Sequence, residues 1–252
     1  MNRKILITGA SSGFGKAIAT RFAQNGDDCI ITGRRNDRLE ELCSDLESKY
    51  NVAIYTLCFD VQDKDAVKKA IEGLPEEWKN IDVLVNNAGL ALGRDYFDEG
   101  NLSDWETMID TNVKGLLYVS KAIAAGMAIR KKGHIINIGS TAAKEVYEKG
   151  NVYCASKSAV DALSQAMRID LLRHGIKVTA IHPGAAETEF SLVRFKGDAT
   201  TAKSVYQGFE PLHAEDVAEV VFYCTTLPPH VCINDLVMTS TAQANSFYFH
   251  RK

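Results

Sequence analysis

Six runs of apolar, largely β-branched residues recur along the chain: "KILITG", "DCIITG", "AIYTLCFDV", "DVLVNNAG", "GHIINIGS" and "IKVTAIHPG". Each is bounded by turn residues, and segments of helical length lie between them. A strand with one face in water alternates apolar and polar residues, whereas these runs are apolar almost throughout, so both faces of the sheet must be covered. Strands alternating with helices form parallel βαβ units. The expected fold is α/β, a single-domain doubly wound parallel sheet with helices on both faces, binding its ligands beyond the carboxyl ends of the strands. No repeat, low-complexity tract or linker divides residues 1–252.

The first run leads into "TGASSGFG" and then into the helical segment "KAIATRFAQNG". Glycines let the backbone turn sharply and let a pyrophosphate approach the helix N-terminus, where free N–H groups and the helix dipole favour negative charge. Three glycines alone are a weak signal, but their place between the first strand and first helix of a βαβ series is the context that marks a dinucleotide site. Gly9, Ser11, Ser12, Gly13, Phe14 and Gly15 form the expected cradle. About twenty residues further on, an NAD site would offer an acid to the ribose hydroxyls. Here the second run ends in "TGRR". Arg34 and Arg35 suit a 2′-phosphate, and the missing carboxylate removes the repulsion that would reject one, so NADP is the expected cofactor. Without the glycine loop, the pair would read as solvated arginines in a polar turn.

A tyrosine and a lysine stand four apart in "GNVYCASKSAVDALSQ". Positions i and i+4 of a helix share a face, so Lys157 can hold its charge near the Tyr153 hydroxyl and lower a phenol pKa of about 10. The phenol then becomes a usable base for an alcohol or acid for a carbonyl. Upstream, "GHIINIGS" delivers Ser140 at a strand's carboxyl end, where its hydroxyl can hold the reacting oxygen. Lys157 is also expected to bind the nicotinamide ribose. A second match, Tyr248-x-x-x-Lys252, lies at the C-terminus, with Asp235 where the serine would stand, and reads as chance.

With 24% charged residues and a formal net charge of -3, the chain has no basic field to draw it to nucleic acid. No segment approaches the apolar length of a membrane span, and the apolar run in "MNRKILITGA" is too short for a signal peptide, so no membrane association and a cytoplasmic location are expected. The six cysteines include no C-x-x-C pair and read as reduced thiols, and the six histidines form no ligand pattern, so no metal is expected.

Two helical segments, about 104 to 130 and 153 to 173, carry apolar residues on more than one face. The surplus faces either a partner subunit or a deeper core within one subunit. Residues 185–212 break the strand and helix rhythm and are the candidate substrate lid.

Together these features resemble the short-chain dehydrogenase/reductase family over nearly the whole chain. The resemblance rests on Thr8-Gly-x-x-x-Gly-x-Gly15, Asp60-Val61, Asn86-Asn-Ala-Gly89, Asn112, Ser140, Tyr153-x-x-x-Lys157 and Pro183-Gly-x-x-x-Thr188. It implies a Rossmann-type fold in which Ser140, Tyr153 and Lys157 are catalytic and Asn112 supports a water in a proton relay. It further implies that Asp60 and Val61 border the adenine, that Asn87, Ala88 and Gly89 brace the cofactor, and that Pro183, Gly184 and Thr188 hold its nicotinamide end. Phe14 departs from the isoleucine that many members carry. "NNAGLALG", "WETMIDTN", "HIINIGSTA" and "TEFSLVRFKGD" look like the NADP-dependent 3-hydroxy acid dehydrogenases. That branch implies small 3-hydroxy acids such as serine as substrates, semialdehydes in reverse, and a homotetramer formed through the two long helices. The segment "GAAETEF" is one residue shorter than that branch's form. A carboxylate substrate needs a cation, and the lid offers Arg194 and Lys196; the forked donors of Arg194 make it the expected substrate clamp beside Ser140 and Tyr153. The alternative leaves both residues solvated, or paired with Asp198 or Glu189.

Overall fold

A computed structural model describes residues 2–252. Its centre is one seven-stranded sheet in the order β3-β2-β1-β4-β5-β6-β7, with every neighbouring pair parallel. The strands are β1 (Lys4–Ile7), β2 (Asp28–Gly33), β3 (Ile54–Cys58), β4 (Val83–Asn86), β5 (Gly133–Ile138), β6 (Ile176–Pro183) and β7 (Asp235–Met238). The chain starts in the middle of the sheet, builds outward to β3, then crosses back to β4. That reversal opens a crevice beyond the carboxyl ends of β1 and β4.

Why the strand runs are apolar throughout is visible in the packing. Ile5 and Ile7 of β1 point into one core with Ile31, Val85, Ile136 and Ile181. That core is closed by α1 (Gly13–Gln24), α2 (Asn36–Lys49) and α9 (Ala214–Thr226). Between them, Leu6 points the other way, joining Ile30, Leu84, Ile135 and Val178 under α3 (Lys64–Glu72) and α5 (Leu116–Arg130). Successive residues of a strand face opposite sides, so two covered faces demand an apolar residue at every position.

The first long helical segment is α4 (Leu102–Ile109) and α5 joined by a π-helical turn, Asp110–Gly115. The second is α6 (Asn151–Leu171), which places Tyr153 in its first turn. Their surplus apolar residues divide: Met108, Val119, Ile123 and Val160 are buried, while Ile129, Ile169 and Leu172 remain 85%, 75% and 74% exposed. Two short helices, α7 (Glu189–Arg194) and α8 (Ala199–Ser204), occupy the 185–212 stretch, which a parallel bridge between Ala186 and Leu212 closes at its base. No helix among the described residues is long and apolar enough to cross a membrane.

Candidate functional site

The turn after β1 requires glycine. Gly9 and Gly13 have φ of +67° and +51°, a region that side chains rarely adopt. A Cβ on Gly15 would collide with the Gly9 carbonyl and come within 2.6 Å of Asn87 Nδ2, so α1 can approach the sheet only without a side chain there. Asn87 holds the turn from the other side, donating to the carbonyls of Thr8 (2.8 Å) and Gly9 (3.2 Å). The Thr8 hydroxyl in turn accepts from the Asn87 and Ala88 N–H groups, tying the ends of β1 and β4 together. Ser12 caps α1 by position but makes no side-chain cap, which leaves the helix's first N–H groups for an incoming anion. Cradle and arginines together fit a dinucleotide phosphate.

The two expected arginines are used differently. Arg35 folds over the loop, donating to Ser11 Oγ (2.9 Å) and Ser12 Oγ (2.8 Å) through Nη2 and to Glu189 (3.1 Å) through Nη1. Arg34 is largely exposed and reaches Asp60 at 3.3 Å. A third arginine, Arg38 on α2, donates to the same Glu189 carboxylate at 2.7 Å. Sequence reasoning missed it, although its place one helical turn beyond Arg34 and Arg35 was a usable signal.

At the far end of the cleft, Ser140 follows β5 and caps a short 3-10 turn, its Oγ accepting from the Ala142 N–H at 3.1 Å. Tyr153 is 8% exposed, with its ring 5.7 Å from that of Phe190 on α7. Lys157 is buried, donates to the Ile138 carbonyl at 3.0 Å and lies beneath Gly89. Asn112 sits inside the π turn, where a widened turn is often found at functional sites. Its amide exchanges two 2.8 Å hydrogen bonds with the Leu90 backbone and donates to Ser156, fixing the loop after β4 to α6.

Electrostatics in the protein alone differ from the sequence expectation. Burial pushes the Tyr153 phenol well above its ordinary value, and the groups that oppose this are a Ser140 hydrogen bond and the charge of Arg194. Burial brings Lys157 down to about 8. The cation facing the phenol is therefore Arg194, whose guanidinium carbon lies 5.5 Å from the Tyr153 ring centre.

Arg194 ends α7 and points into the cleft, its Nε donating to the Gly93 carbonyl (3.2 Å) and its Nη1 to the Tyr147 hydroxyl (3.0 Å). Its Nη2 is buried with no protein partner. Lys196 faces away, paired with Asp104 at 2.7 Å. Thr188 caps α7, Gly184 donates to the Met238 carbonyl at 2.8 Å, and both line the cleft with Pro183, Asp60 and Val61. The cleft encloses about 1130 Å³ and runs from Arg35 to Arg194. The C-terminal tail closes its rim: Arg251 donates to the Val205 carbonyl and the Lys252 N–H to the Gly208 carbonyl, so the tail docks on the 185–212 stretch of its own chain.

Comparisons with known proteins agree with this geometry. The NADP-dependent 3-hydroxy acid dehydrogenase of Escherichia coli strain K12 is 48% identical over 95% of this chain and 96% of its own. Sulfoacetaldehyde reductase 2 of Chromohalobacter salexigens is 45% identical over 98% of each. A solved closed form of serine dehydrogenase complexed with NADP+ superposes with a TM-score of 0.92 at 48% identity, over 99% of this chain and 100% of that one. The model of the short chain dehydrogenase family matches residues 3–198, the span holding the glycine cradle, Ser140, Tyr153 and Lys157. By that match, and by relatives alike from end to end, the chain belongs to the short-chain dehydrogenase family.

Proposed function

We propose that the protein is an NADP-dependent oxidoreductase that moves a hydride between NADP and the hydroxyl-bearing carbon of small 3-hydroxy acids, reducing the matching semialdehydes in reverse. The observation that carries this reading is the unpaired Nη2 of Arg194, held in the same end of the cleft as Ser140 and Tyr153. A buried guanidinium donor costs free energy until an acceptor meets it, and an anion opposite the guanidinium charge meets it better than a water does. A 3-hydroxy acid puts its carboxylate two bonds from the reacting carbon, so one small molecule reaches both Arg194 and Tyr153.

NADP, when bound, supplies the hydride acceptor or donor. The residues of the chain do the rest. Arg35, Ser11, Ser12 and the free N–H groups of α1 hold its phosphates, and Arg38 adds charge beside them. Ser140 orients the reacting oxygen. Tyr153 moves the proton at that oxygen, and Lys157 stands by for the ribose. A phenol held high by burial is protonated at neutral pH, which suits it to donate to an aldehyde; oxidation needs added positive charge nearby. The 185–212 stretch acts as the lid, excluding water from this step. We further place the protein in the cytoplasm and read it as a homotetramer; the assembly is supported by the exposed Ile169 on α6 and Leu172 just beyond it.

A sulfonate is a second anion for Arg194, favoured by the sulfoacetaldehyde reductase relative: sulfoacetaldehyde and malonic semialdehyde both carry an anion one carbon from the aldehyde. The test is NADPH oxidation with malonic semialdehyde, sulfoacetaldehyde and propanal, and NADP reduction with L-serine, L-allo-threonine and 3-hydroxypropionate. Turnover of an anionic pair with NADP and not NAD supports the proposal. Faster turnover of bulky ketones or acyl thioesters than of every anion would overturn it, as would binding of NADPH without any turnover.

A further inference from the structure

His182 lies directly before Pro183 and is completely buried, and nothing in the reaction above uses it. Its ring packs closely against the backbone that carries Ser140: a Cβ on Gly139 would collide with the Nδ1 and Cε1 edge of the imidazole. One ring nitrogen, Nδ1, lies 3.4 Å from the Ser140 N–H and 3.2 Å from the Ser140 carbonyl oxygen. The other, Nε2, lies 2.8 Å from Asp235 and 3.6 Å from Asp161. The Asp235 oxygen sits off the N–H axis, so this contact is electrostatic more than a straight hydrogen bond. Lys144 completes the group, 3.0 Å from Asp161 and 2.8 Å from Asp235.

Asp161, His182 and Asp235 have the spacing of metal ligands, but the Lys144 ammonium already lies between the two carboxylates and supplies the cation. The location of these four residues gives them a different meaning. Lys144 ends the 3-10 turn that Ser140 caps. Asp161 lies one helical turn beyond Lys157 on α6. His182 leads into the Pro183-Gly184 edge of the cleft, and Asp235 begins β7. The cluster thus joins the segments that carry the oxygen-holding serine, the proton-moving helix and the nicotinamide end.

Chemistry chooses the tautomer. Burial and the Lys144 charge, partly offset by Asp235, Asp161 and a hydrogen bond with the Ser140 backbone, keep His182 below its ordinary pKa, so the ring is neutral at pH 7. A bare Nε2 would set its lone pair against two charged carboxylates, whereas a bare Nδ1 opposes only the neutral Ser140 carbonyl at 3.2 Å, so Nε2 carries the hydrogen and Nδ1 is left as an acceptor. The Ser140 N–H is the donor in reach.

We propose that His182 is a positioning residue: its Nδ1 accepts the Ser140 backbone N–H, and the Lys144–Asp161–Asp235 cluster fixes the ring so that the Ser140 hydroxyl keeps its place beside Tyr153. The kinetic part rests on the proposed oxidoreductase reading; the hydrogen bond itself does not. An asparagine at 182 can keep an acceptor near the Nδ1 position, whereas a glutamine reaches toward the carboxylates and abandons Ser140. The test therefore compares His182→Asn and His182→Gln with the wild-type protein by steady-state kinetics, NADPH titration and thermal melting. Long-range ¹H–¹⁵N spectra of the cofactor-free wild type are recorded alongside, with the His182 signals assigned by their loss in His182→Asn.

The expected result is a kcat for His182→Asn within about threefold of wild type and a fall of about tenfold or more for His182→Gln, at unchanged NADPH affinity. Equal loss in both variants, following their melting temperatures, would make His182 a stability residue and overturn the proposal. Retention of full kcat by both would overturn it too. In the spectra, a pyridine-like Nδ1 and pyrrole-like Nε2 support the assignment, and the reverse refutes it. A wild type inactive toward every substrate would sink the functional reading, while the spectra would still decide the hydrogen bond.

Discussion

Arg194→Met tests the substrate end of the cleft most directly. The guanidinium has three nitrogens in fixed relation: Nε donates to Gly93, Nη1 to Tyr147, and Nη2 is left for the proposed substrate. Its backbone is tied down as well, the Gly93 N–H donating to the Arg194 carbonyl at 2.9 Å, so the side chain is anchored at both ends and only a small shift is needed to expose the buried Nη2 to the proposed substrate. Removing a charged hydrogen bond to a carboxylate costs about 1.5–3 kcal/mol, or roughly a 10- to 150-fold fall in kcat/KM. The same substitution removes the cation that opposes burial at Tyr153, so the phenol should titrate higher still and oxidation should suffer more than reduction. Methionine keeps most of the apolar volume against the Tyr147 and Tyr153 rings, which limits collapse of the pocket. The assay is kcat/KM for malonic semialdehyde, with propanal as the uncharged control. Loss confined to the anionic substrate is expected. An equal fall for both aldehydes would show that Arg194 shapes the cleft without gripping the anion, and an unchanged KM for serine would refute the clamp altogether. Arg194→Lys should rescue little, since one ammonium cannot meet Gly93, Tyr147 and a substrate together.

At the other end of the cleft, Arg35→Ala should weaken NADP binding about tenfold, a value discounted because the side chain is 41% exposed. NAD binding should stay unchanged, as calorimetric titration with both dinucleotides would show. Gly15→Ala should lower stability by about 1–3 kcal/mol and abolish dinucleotide binding, because its Cβ collides with backbone at Gly9 that cannot yield; a melt at wild-type temperature would refute the close-approach argument. Lys157 sits at about 8 in the cofactor-free protein, so its charge is present below that pH and is lost as pH rises through it. NADPH affinity should fall over that window, and Lys157→Met, already uncharged, should show no step.

How much of this was legible in the chain follows from what each residue had to satisfy. The strands β1, β2, β4, β5 and β6 declared themselves because burial on both faces forces continuous apolarity; β3, at the other edge and only partly buried, was legible from its β-branched and aromatic run. The last strand, β7, escaped: it is a four-residue edge strand whose alternate residues are exposed, so the rule that exposed the others does not apply to it. The glycine cradle was legible because positive φ and backbone collision leave only one residue type possible. The π turn around Asn112 left no such mark, since "DTNVKG" contains nothing that an α-helix would refuse.

The long-range electrostatics were the least legible part, and the reason is physical. Spacing of four on a helix brings Lys157 to the same face as Tyr153, yet in the protein alone its ammonium turns to the Ile138 carbonyl, and a cation from α7 takes the place beside the phenol. Arg194 and Lys196 are equivalent in sequence, two cations in one short stretch. They differ in outcome because α7 ends at Arg194 and the chain enters a left-handed turn at Lys196, φ +51°, which carries that side chain to Asp104. The pairing of an α7 cation with the Tyr153 phenol couples two properties in the proposed reaction: the position of Arg194 that would meet a substrate anion also sets the charge that Tyr153 feels. Substrate grip and proton affinity are then two readings of one guanidinium position, which is why the Arg194 substitution should separate oxidation from reduction and not merely slow both.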